Sequence, residues 1–144
     1  MNDGETPRWE LRYENFLKAT KNLADGVREY RHRRTSVLEQ AGLTKLFEIA
    51  WESGWKVLRD YLVFSGITDD VRSPVGAIRS AYEINLIQDG QRWMDATKLR
   101  HTLTHEYHPE RAAEGLDHIA DEYLAMFQGL AEKLADEVQR PRFP

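Results

Sequence analysis

Leu43-Thr44-Lys45-Leu46-Phe47-Glu48-Ile49-Ala50-Trp51-Glu52-Ser53-Gly54-Trp55-Lys56-Val57-Leu58-Arg59-Asp60-Tyr61-Leu62 is the stretch from which the architecture can be read. Leu43, Leu46, Phe47, Ala50, Trp51, Gly54, Trp55, Leu58, Tyr61 and Leu62 recur at steps of three and four, so they share one face of a helix. The pattern extends from about Ser36 to Phe64, and Gly66 stops it in the way a glycine commonly ends a helix. Gly54, between two tryptophans, lets another helix come close. The simplest expectation is that these rings pack within one chain. A small bundle has limited interior, however, and the surplus of aromatic surface points to a two-fold homodimer.

Four further segments follow from the same reasoning. Tyr13, Phe16, Leu17, Thr20, Leu23, Ala24 and Val27 make a stripe on a helix from about Arg8 to Tyr30. Ser73-Pro74 reads as a cap followed by proline at the first helical position, opening a short helix to about Leu86. Asp89-Gly90 marks a turn, and a helix from about Gln91 to His105 follows, with Trp93 in the core. After His108-Pro109, one last helix spans about Glu110 to Val138, with Ala113, Leu116, Ala120, Tyr123, Leu124, Phe127, Leu130 and Leu134 inward. Nothing alternates with period two. The expected fold is all-α: an up-and-down four-helix bundle with one additional short helix.

The 144 residues fit one domain, 1–144, with an ordered core of about 8–138. Apolar residues at 41% and charged residues at 31% exclude wholesale disorder. No apolar stretch is long enough for a bilayer, and no membrane partner is expected. The opening Met1-Asn2-Asp3-Gly4-Glu5 is acidic and polar rather than a secretion signal, so a cytoplasmic location is the expectation. The absence of cysteine rules out disulfides, thiolate catalysis and cysteine-ligated zinc. A net charge of −4 argues against a constitutive nucleic-acid binder. One basic run, Arg28, Arg31, His32, Arg33 and Arg34, stands out. It reads as a solvated helix end favoured by the helix dipole. The competing reading is a partner or RNA-backbone contact through Arg31 and Arg33.

Chemistry concentrates in Leu99-Arg100-His101-Thr102-Leu103-Thr104-His105-Glu106-Tyr107-His108. His101 and His105 are four apart, as in zinc-binding pairs, but no third ligand is evident and no metal site is assigned. Arg100 and His105 suit metal-independent RNA cleavage. A histidine can move the proton of a ribose 2′-hydroxyl, and an arginine can grip a phosphate and stabilise the charge that builds on it. The third reading is a polar helix end, which on spacing alone is the simplest. Glu48 and Glu52, one turn apart, can act as acid and base or orient Arg100, and the simpler reading is a salt bridge within the bundle, for instance with Lys56 or Arg100. Arg79 on the short helix is either a support or partner contact, or a surface arginine with a packed stem.

Three blocks carry a family resemblance from about Tyr13 to Leu134: Phe47-Glu48 with Trp55-Lys56, Leu58 and Asp60-Tyr61-Leu62; Ser73-Pro74 with Ile78-Arg79, Ala81-Tyr82, Leu86-Ile87, Gly90 and Trp93; and Arg100, His105 and Tyr107. Their order resembles the nucleotidyltransferase substrate-binding protein family, a HEPN-superfamily branch that includes the HepT toxins. The resemblance implies a dimerising HEPN-like bundle in which Arg100 and His105 match an endoribonuclease motif. It also implies that the two copies line one cleft. The matching tyrosine of HepT toxins, here Tyr107, is modified with AMP groups by a minimal nucleotidyltransferase antitoxin encoded nearby. The family commonly has Asn directly after the Arg, where this chain has His101. The functional expectation is a toxin ribonuclease acting on RNA, with His105 as acid–base and Arg100 on the scissile phosphate. The alternative is a non-catalytic substrate-binding or regulatory subunit, and no cofactor is expected in either case.

Overall fold

The computed structural model describes residues 6–105 and 109–140. Six helices follow one another: α1 (Arg8–His32), α2 (Val37–Phe64), α3 (Pro74–Glu83), α4 (Gly90–His105), α5 (Pro109–His118) and α6 (Leu124–Gln139). A π-helical turn, Ile119–Tyr123, joins α5 to α6. There is no strand among the described residues, and none of their helices is long and apolar enough to cross a membrane.

Local chemistry sets the helix ends. Ser36 and Glu39 form a reciprocal capping box: the Ser36 hydroxyl accepts from the Glu39 N–H at 3.1 Å, and the Glu39 carboxylate accepts from the Ser36 N–H at 3.0 Å. Arg33 also grips Glu39, and the guanidinium with these Ser36 hydrogen bonds lowers the Glu39 carboxyl pKa to about 2. Gly66 closes α2 with φ of 86°. Ser73 caps α3 through the Gly76 N–H at 3.1 Å. Asp89 accepts from the Arg92 N–H at 3.0 Å and opens α4. The short helix ends at Glu83 rather than near Leu86. Asn85 turns left-handed there (φ 61°), a conformation that Asn tolerates, and the turn drops Leu86 and Ile87 into the core as part of the connection.

Long-range contacts fix an up-and-down order. α1 and α6 run antiparallel, since Tyr30 donates to Asp117 while Phe16 meets Phe127. α4 runs antiparallel to α2, since Thr104 reaches Glu48 while Trp93 lies at Gly54. Phe127 is the hub of the core, with ring centroids 5.5 Å from Trp93, 6.0 Å from Phe16 and 6.0 Å from Phe47. The edge-on pairs with Trp93 and Phe16 add about 0.5–1.5 kcal/mol each beyond the area they bury. At the opposite end from the α1–α2 connection, Asp60 is nearly enclosed and collects three guanidinium groups: Arg12 at 3.1 Å, Arg59 at 3.0 Å and Arg8 at 3.5 Å. They staple the start of α1 to the end of α2.

Two expectations need correction. Leu17 is 45% exposed, because the stripe Phe16, Thr20, Leu23, Val27 already fills the inner face and leaves it on the flank. The last helix carries a π turn, which moves Ala113 to the surface and brings Ile119 fully inside. Wider winding there shifts the inward register by a fraction of a turn, and Arg31 of α1 donates to the Ala120 carbonyl within it. The rings of α2 divide: Trp51 and Trp55 are buried within the chain, whereas Phe64 stays 55% exposed.

A Cβ placed on Gly54 would stand 3.1 Å from Phe16 Cε1 and 3.2 Å from Trp93 Cη2. Both rings are fully buried, so neither can retreat. Gly54→Val is therefore expected to cost about 1–3 kcal/mol through overpacking, read as a lower urea midpoint at unchanged slope. A midpoint equal to that of the unaltered chain would refute the close approach.

Candidate functional site

Trp93, Thr97, Arg100 and Thr104 fall at helical spacing along α4 and make the seam with α2. The Trp51 indole N–H donates to the Thr97 hydroxyl at 3.1 Å, and that hydroxyl donates to the Trp93 carbonyl at 2.8 Å. The Arg100 guanidinium then lies over the Trp51 ring, 5.0 Å from its centroid. Its Nη2 is 3.9 Å from Glu52 Oε2, while Lys56 holds the other Glu52 oxygen at 3.3 Å. Arg100 Nε is buried without a protein acceptor, yet the side chain as a whole keeps 33% of its surface open. One turn on, the Thr104 hydroxyl is shared between Glu48 at 3.2 Å and the Arg100 carbonyl at 2.9 Å. The result is a cation held over an indole, with a third of its side chain open to solvent. Such a group can take a planar or tetrahedral oxyanion.

His101 and His105 leave the same helix on another flank. Both are exposed, and their ring centroids are 4.6 Å apart at 48°. At about 100° per residue, His105 projects about 140° away from Arg100 around the helix axis. Within one chain the structure thus brings Arg100 together with Glu52 and His101 together with His105, and sets the two pairs on different sides of α4. Glu48 joins the seam through Thr104 and also pairs with Lys45 at 3.8 Å. Tyr107 lies outside the described residues.

The remaining candidates sit elsewhere. Arg79 on α3 pairs with Asp70 at 3.7 Å, both exposed. Arg31 is occupied by the Ala120 carbonyl and by Asp121 at 3.2 Å. Arg33 pairs with Glu29 at 2.8 Å and with Glu39, which raises its already high pKa further. Among the described residues, no group of three or more His, Cys, Asp or Glu side chains is placed to hold a metal ion. A cleft of about 460 Å³ lies between the α3–α4 connection and α6, lined by Leu86, Trp93, Met126 and Lys133 among others, and Arg100 and His105 are not part of it.

Reading the sequence missed Trp51 as the platform under Arg100 and Thr97 as its anchor. The available signal was the spacing of Thr97, Arg100 and Thr104, which puts two hydroxyls on the Arg100 face of α4. Trp51 itself looked like core, and by burial it is.

The family model described as nucleotidyltransferase substrate binding protein like matches residues 11–136. The chain belongs to that family. A crystal structure of a protein from Thermus thermophilus shares the fold, with a TM-score of 0.69 and 24% identity over 87% of this chain and 99% of that one. No curated protein shows significant similarity to the chain. In this family member, the seam places Arg100 by stacking more than by charge, because its ion pair is long and about a third of each partner is exposed. Trp51→Leu is expected to cost about 2–3 kcal/mol, from cavity plus lost cation–π contact. Glu52→Gln is expected to stay within about 1 kcal/mol. Equal losses in urea unfolding would show that stacking does not dominate.

Proposed function

We propose that this nucleotidyltransferase substrate-binding family member is the HEPN-type half of a toxin–antitoxin pair: a metal-independent endoribonuclease silenced by a minimal nucleotidyltransferase. The observation that carries the reading is Arg100, held over Trp51 with part of its side chain open to solvent, five positions before an exposed His105 in a chain of this family. His105 takes the proton of a ribose 2′-hydroxyl. The freed oxygen attacks the adjacent phosphorus, a 2′,3′-cyclic phosphate forms, and the 5′-oxygen departs with a proton returned by an imidazolium. Arg100 stabilises the charge on the non-bridging oxygens. Because Arg100 and His105 diverge around α4, one RNA strand engages both most readily where two copies of the chain meet, with the Arg100 of one copy facing the His105 of the other. Nucleotide phosphates added at Tyr107 would bring negative charge to that cleft and repel RNA.

Purified protein is expected to cleave single-stranded RNA without divalent ions, and His105→Ala to lower the rate by at least about 100-fold. Equal cleavage by both proteins, or none on any RNA class offered, overturns the nuclease reading.

A second reading, a non-catalytic substrate-binding or regulatory subunit, draws support from Glu52 already facing Arg100 and from His101 standing where the family commonly has Asn. Incubation with the neighbouring nucleotidyltransferase and ATP separates the two. A mass increase of one or more AMP groups, lost in Tyr107→Phe, supports the antitoxin relationship. An unmodified mass within a stable complex supports the regulatory subunit.

A further inference from the structure

His101 and His105 are the two imidazoles of the described residues that face each other. Both stand exposed on one flank of α4, four residues apart. The other described histidines are differently placed. His118 is committed to Glu122 at 2.6 Å, and His32 sits among Arg31, Arg33 and Arg34, where a cation is repelled.

The separation has a chemical meaning. An imidazole nitrogen binds zinc at about 2.0–2.1 Å, which puts the metal about 3.2 Å from each ring centre and two such centres about 4.5–5 Å apart for ligand angles between a right angle and tetrahedral. The observed 4.6 Å falls within that interval. The same separation is ordinary ring contact, so what it shows is that one ion can reach both rings without either moving far. Hard ions such as magnesium take oxygen ligands, whereas imidazole suits zinc, nickel and copper.

We propose that His101 and His105 form a two-imidazole site for a divalent zinc, nickel or copper ion, with water completing the coordination, and that its occupancy switches off His105. The metal takes the ring lone pair that would otherwise accept the 2′-hydroxyl proton. No bond is made or broken in RNA, and the change is a reversible exchange of coordinated water for two nitrogens. Lys98, one turn before His101 and exposed, repels the ion and holds the affinity below that of a closed structural site. The ion-binding half of this proposal stands on the ring geometry alone, while the silencing half rests on the ribonuclease reading. His101 is what makes the pair, and a chain with Asn at that position would lack the site.

The test uses the full chain without an affinity tag, titrated calorimetrically with zinc chloride or nickel chloride in a non-chelating buffer, and with magnesium chloride as control. One transition ion per chain is expected, with no uptake of magnesium. His101→Asn is expected to weaken binding by at least about tenfold, and His118→Ala to leave it unchanged. Undiminished binding in His101→Asn, or no transition-ion uptake at millimolar concentration, overturns the site. The nuclease arm compares each protein with its own metal-free rate: zinc is expected to suppress cleavage by the unaltered chain and not by His101→Asn. Full cleavage with the ion bound overturns the silencing. Ion binding to a chain that cleaves no RNA keeps the site and removes the ribonuclease. RNA cleavage by a chain that binds no ion does the reverse.

Discussion

The register between α4 and α2 is the constraint from which the rest of the molecule follows. Trp93 seats against Gly54, Thr97 meets the Trp51 indole, Arg100 lies on that indole and Thr104 reaches Glu48. These contacts occupy one face of α4 at steps of three and four. Sliding α4 along α2 by one residue would separate every pair at once, because the fully buried rings of Trp93 and Phe127 leave no room for a compromise. The same register settles the chemistry. Once the Arg100 face is committed to α2, helix geometry alone sends His101 and His105 to a different flank. Core packing and the layout of the candidate site are therefore one decision.

The far side of the bundle is built differently. Leu116, Ile119, Ala120, Tyr123 and Phe127 all reach the interior, with the Tyr123 ring centroid 5.8 Å from that of Phe47. A π turn at Ile119–Tyr123 interrupts the regular winding between α5 and α6. Widening a helix disturbs its carbonyl ladder, and the cation of Arg31 at the Ala120 carbonyl offsets that disturbance. The Tyr30 hydroxyl, half-buried against Asp117 with its pKa pushed up to about 12, fastens the same junction. The basic run at the end of α1 is thus largely engaged within the chain.

Most of the fold was legible because amphipathic periodicity is local information. The stripe on α2, the Ser73 cap, the Gly66 stop and the Ser73-Pro74 opening of α3 need only neighbouring residues. The π turn was not legible. A regular helix from Glu110 to Val138 already puts Leu116, Tyr123, Phe127, Leu130 and Leu134 on one face, so nothing in that periodicity announces a wider turn. The candidate site divides the same way. Residue types and spacing bring Arg100, His101, His105, Glu48 and Glu52 to attention. That Trp51 bears Arg100 depends on a seam between segments nearly fifty residues apart. The role of Asp60 was missed for the same reason: Arg8 and Arg12 reach it from the start of α1, about fifty residues earlier in the chain.

The distribution of ion pairs bears on how an acidic protein could handle an anion. Arg31, Arg33, Arg79 and Arg92 each have a carboxylate partner, and the net charge is −4, so the long-range field does little to gather RNA. Affinity would then rest on a few well-placed donors. Arg100 differs from those arginines in lying over an indole: its contact with Glu52 is long, at 3.9 Å, and Glu52 has a closer partner in Lys56. An incoming phosphate can take the guanidinium without leaving Glu52 unpaired, and the Trp51 face continues to hold the cation in place. Holding a cation by its π face rather than its hydrogen bonds keeps those bonds free for a ligand. That freedom is the physical ground for placing anion chemistry at Arg100 rather than in the basic run, where Arg28, Arg31 and Arg33 already hold carboxylates.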